Sequence, residues 1–205
     1  MCAAIRVDGK SGIIRPARQC PSPNQDQRPA NADIELIVVH GISLPPGDFG
    51  GGHIEQLFTN CLDWDCHPYF ETIRGLEVSA HVLIRRTGEL IQFVPFTQRA
   101  WHAGASRFRN GENCNDFSIG IELEGADDIP YDDRQYVMLA AVARALFAAY
   151  PRLSARRLAG HSDIAPGRKT DPGTAFDWFR LYDELREAAL EIGAAAPGPR
   201  RVDSR

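Results

Sequence analysis

Three observations predict an α/β or α+β fold, a β-sheet with helices packed against it. Apolar runs of strand length, rich in β-branched residues, occupy 34–39, 78–85, 90–94 and 118–124. Two longer stretches, near 132–150 and 175–192, repeat apolar residues at helical spacing instead. The two kinds of segment are interspersed along the chain, the pattern of a sheet covered by helices.

Each element follows from local chemistry. Residues 1–33 hold Pro16, Pro21, Pro23 and Pro29 among polar residues, which predicts an extended arm laid over the domain. Residues 34–39 read as a buried central strand ending at His40. Pro45, Pro46 and the Gly50–Gly52 triplet then force a loop, and a short helix is expected near 54–59. From 78 to 85 the residues alternate, with Val78, Ala80, Val82 and Ile84 on one face and Ser79, His81, Leu83 and Arg85 on the other. A Thr87-Gly88 turn leads back into a strand at 90–94, which makes a hairpin. Another strand spans 118–124. Asp132 and Gln135 have the spacing of a capping box, and Tyr136, Leu139, Ala143, Leu146 and Tyr150 continue the helix until Pro151 stops it. The domain so defined is 34–192, followed by a tail at 193–205.

At 205 residues and 22.7 kDa, one domain is expected. A net charge of -4 and a pI of about 5.9 exclude a nucleic-acid binder built on a basic face. Arg85-Arg86 and Arg156-Arg157 are too local to make one. No apolar run approaches the roughly 18 residues of a membrane span, and 1–8 lack the apolar stretch of an export signal. The cysteines Cys2, Cys20, Cys61, Cys66 and Cys114 are irregularly spaced, as reduced cytoplasmic thiols are.

Three segments carry groups able to bind a metal or move protons. The first ends Val38-Val39-His40-Gly41, the second is Gly120-Ile121-Glu122-Leu123-Glu124, and the third runs from Gly160 through His161 and Asp171 to Gly173. Alone, His40 reads more readily as a hydrogen-bonded structural histidine than as a ligand. His161 and Asp171 share a segment crowded with Pro and Gly, expected to be one irregular loop, in which Asp163 is a second candidate carboxylate. Two histidines and one carboxylate would leave zinc an open position, the mark of a catalytic site. Hydrolysis also needs a base and a cation for the oxyanion, roles that suit Glu122 and Lys169, with Glu124 as the alternative base. Trp101 and His102 read either as groove lining or as packed interior, Tyr69 as core or substrate contact, and His81 as structural.

These residues lie within longer blocks: 40–47, 67–70, 79–86, 99–104, 114–125 and 160–173. In order and with few gaps from about residue 20 to about 182, they resemble the AmpD-type 1,6-anhydro-N-acetylmuramyl-L-alanine amidases. That group belongs to the amidase-2 family, which is similar to the peptidoglycan recognition proteins. The resemblance implies a mixed central β-sheet flanked by helices, with one zinc ion in a surface groove. It implies His40, His161 and Asp171 as zinc ligands, Glu122 as general base and Lys169 as oxyanion stabiliser. Tyr69, Trp101 and His102 become substrate contacts. The implied substrate is a small muropeptide, cut between the muramic sugar and L-alanine in cytoplasmic wall recycling, with an indirect effect on β-lactamase induction. No nucleic acid or membrane partner is expected, and the chain is expected to act as a monomer. The alternative is a non-catalytic peptidoglycan-binding module, which typically lacks a ligand; all three are present here. Two positions depart from the family pattern: Gly41, where Asn is common, and Ala80, where wider members often carry Tyr.

Overall fold

Strand 118–124 is the axis of the molecule, and its neighbours on both sides place the chemistry. In the computed structural model, which describes residues 4–194, six strands form the main sheet. We number them β1 (Arg18–Gln19), β2 (Leu36–Ile42), β3 (Val82–Ile84), β4 (Leu90–Gln92), β5 (Ser118–Glu124) and β6 (Leu158–Gly160). Their spatial order is β6-β2-β5-β3-β4-β1. Only the β3–β4 hairpin is antiparallel; the other four pairings are parallel, so the sheet is mixed.

β2 and β5 are buried along almost all their length because both faces of the sheet are covered. On one face Ile37, Val39, Ile121 and Leu123 pack against helix α3 (Asp133–Ala149) through Leu139, Ala143 and Leu146. Helix α5 (Trp178–Ala194) adds Leu181 and Leu185. Each fully buried Leu or Ile contributes about 1.5–3 kcal/mol by leaving water. The opposite face is shared by two smaller clusters. One, around Leu83, Ile91 and Phe93, packs on helix α1 (His53–Phe58) and the single turn α2 (Pro68–Glu71). The other, around Leu36, Val38 and Cys114, packs on the short helix α4 (His161–Ile164). α3 begins with the expected capping box between Asp132 and Gln135, whose amide also reaches the Ile84 and Glu124 carbonyls.

Several sequence expectations need adjustment. β2 does not stop at His40 but continues to Ile42, because β5 offers partners beyond it: Glu122 opposite His40 and Glu124 opposite Ile42. The 78–85 alternation does not hold throughout, and only Val82–Ile84 is a strand. The Phe93 and Val94 amides both donate to the His81 carbonyl, at 2.9 and 3.3 Å. This bulge inverts the facing, so Ala80 packs with Leu83 rather than with Val82.

Residues expected as an extended arm are built into the sheet system. Arg6–Asp8 pairs with Ile13–Arg15, β1 edges the main sheet, and Gln25–Gln27 pairs with Gln98–Ala100. Arg28 then inserts its guanidinium beneath the sheet. It donates to the carbonyls of Phe96, Asn115, Asp116 and Ser118 at 2.7–3.2 Å. Burial lowers its pKa to about 10. The second amphipathic helix, expected at 175–192, runs Trp178–Ala194, and the remainder of the expected tail lies outside the described residues.

Candidate metal centre and cleft

Strand alternation sends His40 to the face opposite α3, and parallel register sets Glu122 beside it. β6 lies on the other side of β2 and delivers His161 at its end, where the chain turns into α4. His161 is thus held by a strand-to-helix junction rather than by an irregular loop. A strand of only three residues, Leu158–Gly160, gave too short a pattern to read. The chain then returns so that the Ser162 amide donates to the Asp171 carbonyl at 2.9 Å, bringing that carboxylate back over the imidazoles.

The result is a tight triad. His40 Nδ1 lies 3.0 Å from His161 Nδ1 and 3.0 Å from Asp171 Oδ2, and His161 Nδ1 lies 3.1 Å from the same oxygen. These are the only three His, Cys, Asp or Glu side chains among the described residues whose donor atoms cluster as a metal site, all within 4.8 Å of one another. Burial lowers the His40 pKa to about 4, so the ring is neutral and can donate a lone pair. Burial alone would raise the Asp171 carboxyl, but the His161 and His40 rings beside it outweigh burial and hold the group below the usual carboxylate range. Two imidazole nitrogens and one carboxylate oxygen suit zinc, and three protein ligands leave a position open. Asp163, the competing candidate, is exposed and instead accepts from the Gly160 amide at 2.7 Å, capping α4.

Glu122 stands over the same cleft, only 8% exposed, and its Oε2 has no hydrogen-bond partner. Burial raises its pKa well above the ordinary value, the Asp171 charge adds to that, and Lys169 pulls the other way. Lys169 is exposed on the cleft wall. Tyr69, Trp101 and His102 also line this cleft, so they surround one cavity of about 440 Å³ together with His40, His161, Asp171, Glu122 and Lys169. Glu124 does not. Its carboxylate accepts from Arg85 at 2.9 Å, the Gly50 amide at 2.7 Å and the Arg86 amide at 3.1 Å. His81 is fully buried, accepting from the Gly120 amide at Nδ1 and donating from Nε2 to the Gln98 carbonyl, a structural role.

A family model for N-acetylmuramoyl-L-alanine amidases matches residues 30–174. The chain belongs to the N-acetylmuramoyl-L-alanine amidase family. Within this amidase family, it is 57% identical over 172 residues to the 1,6-anhydro-N-acetylmuramyl-L-alanine amidase AmpD of Escherichia coli strain K12, covering 84% of this chain and 93% of that one. The AmpD of Haemophilus influenzae is 47% identical over 179 residues, covering 87% and 97%. The crystal structure of a selenomethionine AmpD derivative superposes with a TM-score of 0.84 at 54% identity, covering 87% of this chain and 98% of that one. The E. coli amidase AmiD, in complex with anhydro-N-acetylmuramic acid-L-Ala-D-γ-Glu-L-Lys, superposes with a TM-score of 0.55 at 26% identity, covering 83% and 68%.

One supporting residue escaped the sequence reading. Tyr131, just before α3, donates to the Pro172 carbonyl at 2.8 Å and so steadies the Asp171 segment. Its ring occupies the space beside two glycines. A Cβ on Gly41 would meet the Tyr131 hydroxyl at 2.2 Å, and one on Gly125 would meet the ring at 2.3 Å. The departure at Gly41 therefore has a packing cause: no side chain fits there while Tyr131 keeps its place. The signal available in sequence was the pair of glycines at matching ends of β2 and β5.

Proposed function

We propose that this chain is a zinc-dependent amidase that hydrolyses the bond between 1,6-anhydro-N-acetylmuramic acid and the L-alanine of a muropeptide. The observation that carries this reading is the convergence of His40, His161 and Asp171 in a cleft also lined by Glu122, a buried carboxyl with one unpartnered oxygen. The AmpD relatives, similar over nearly their whole length, support the choice of substrate.

One zinc ion held by His40 Nδ1, His161 Nδ1 and Asp171 would supply Lewis acidity toward the amide carbonyl and toward water, whose pKa it brings to about 7. Glu122 takes a proton from the attacking water. Its raised pKa fits a group that must accept a proton and then release it to the departing alanine nitrogen. Lys169 presents its ammonium to the oxygen that gains negative charge, an interaction that strengthens as the charge develops. Tyr69 and Trp101 offer aromatic surface to sugar and peptide, and His102 lines the same cleft.

The amidase acts on small muropeptides as a monomer in the cytoplasm, serving wall recycling; consuming that substrate would also restrain β-lactamase induction. No helix among the described residues is long and apolar enough to cross a membrane. The test is mass spectrometry of products from 1,6-anhydro-muropeptide and from intact wall, with and without a chelator. Release of the free peptide from the anhydro substrate, abolished by chelator and restored by zinc, is the expected result. Cleavage indifferent to chelation would remove the metal from the reading. Binding without cleavage would make the chain a recognition module.

A further inference from the structure

His102 lines the cleft, yet both of its ring nitrogens are committed to the protein. Nδ1 lies 2.9 Å from His40 Nε2, and Nε2 lies 3.2 Å from Ser118 Oγ. The proton positions follow by elimination. The Ser118 hydroxyl spends its proton on the Cys114 carbonyl at 2.5 Å, because a carbonyl can only accept. Ser118 Oγ must then accept from His102, which places the His102 proton on Nε2. His102 Nδ1 is left bare, and it can only accept from His40 Nε2–H. A neutral imidazole carries one proton, so His40 Nδ1 is a free lone pair pointing at His161 and Asp171.

We propose that His102 is a positioning residue for the metal: with Ser118 behind it, it holds His40 in the tautomer whose Nδ1 is bare. This rests on the zinc reading above and deepens it. The competing tautomer is a real alternative, because Asp171 Oδ2 at 3.0 Å would draw the His40 proton onto Nδ1, where it blocks coordination. His161 receives the same treatment from the adjoining residue, since its Nε2 lies 3.1 Å from the Ala103 carbonyl. One dipeptide thus orients both imidazoles from the rear. Its own backbone is fixed by Asn115, whose Oδ1 accepts from the amides of His102 and Ala103 at 3.1 and 2.8 Å.

The sheet makes room for this arrangement. A Cβ on Gly120 would lie 2.4 Å from the His102 ring, so a side chain there would expel the ring from its place behind His40. Gly120 shares strand β5 with Ser118 and Glu122, and a single strand therefore carries the relay's acceptor, the space for its ring and the base.

The test is zinc affinity of the full-length protein, measured by competition with a chromophoric chelator, with the circular dichroism melt as a folding control. Removing the orienting partner of a metal-bound histidine costs about 10–100-fold in affinity. His102→Leu should show that loss with an intact fold. His102→Asn, whose Oδ1 can replace the Nδ1 acceptor, should recover most of it, and Ser118→Ala should weaken binding in the same direction by less. Leu and Asn variants that bind zinc as tightly as the parent overturn the proposal. A parent that binds no zinc, or is indifferent to His40→Ala, overturns the metal reading beneath it instead. Should His102→Leu fail to fold, ¹⁵N spectra of the zinc-loaded parent decide: a proton on His102 Nε2 with bare Nδ1 is expected, and the opposite tautomer refutes the relay.

Discussion

Glu122 and Glu124 project from the same side of the same strand, two residues apart, yet their surroundings differ in every respect that matters to chemistry. Glu124 is 2% exposed and held by three donors, one of them Arg85, which also pairs with Glu55. Arg18, bidentate on Glu55 at 2.9 Å, extends this network to the sheet edge. Glu122, only slightly more exposed, has an oxygen with no partner and the Asp171 charge as its neighbour. The contrast teaches that strand position gives a carboxylate its direction, while the groups that arrive from other segments decide whether it holds the fold or exchanges protons.

The sharpest way to break the comparison is to neutralise each carboxylate. Glu122→Gln should lower the amidase rate on anhydro-muropeptide about 10²-fold or more, the scale of a lost general base, with native circular dichroism and zinc content unchanged. Retained turnover would sink its assignment. Glu124→Ala should do the converse. It strips one of two close carboxylate partners from the buried Arg85, which keeps Glu55, and should cost about 2 kcal/mol in denaturant unfolding, while the rate per folded molecule stays near that of the parent.

A third experiment uses pH on the chelator-treated protein. Because the Glu122 pKa is raised in the folded state, the unfolded chain loses this proton first as pH rises above the ordinary value of 4.5. The native state then binds more protons than the unfolded one, so the Glu122 contribution is fully present below that pH and is lost as pH climbs through the folded-state value. Glu122→Gln should remove this decline, visible as a smaller drop in chemical stability between mildly acidic and neutral pH. Identical profiles for parent and variant would show that the carboxyl is not perturbed. The smallest effect belongs to Tyr131→Phe. Loss of its bond to Pro172 should cost about 1 kcal/mol and weaken zinc binding several-fold by loosening Asp171; an unchanged affinity would confine Tyr131 to packing.

The same contrast marks how far the sequence could be read. His40, Glu122, His161 and Asp171 were legible because they fall in long blocks of family-like sequence, and the capping box at Asp132 because its spacing is local. The bulge at His81 was not, since a register change depends on what the partner strand offers and alternation within one strand carries no sign of it. The different fates of Glu122 and Glu124 were equally hidden: Arg85 and Gly50 reach Glu124 from distant segments, and nothing within 118–125 specifies their arrival. Tyr131 and the rear dipeptide at 102–103 act through contacts between loops, where the sequence has no period to follow.

Arg28 carries a consequence for where the folding unit begins. The family match opens at residue 30, two positions after the guanidinium that gathers four carbonyls from two separate segments, one of them that of Ser118 behind His102. Ile5 and Val7, earlier still, pack against the main core. The border of that family match therefore falls inside the packed unit, and a polypeptide cut there would leave those oxygens without their common donor and the ligand scaffold without its underpinning.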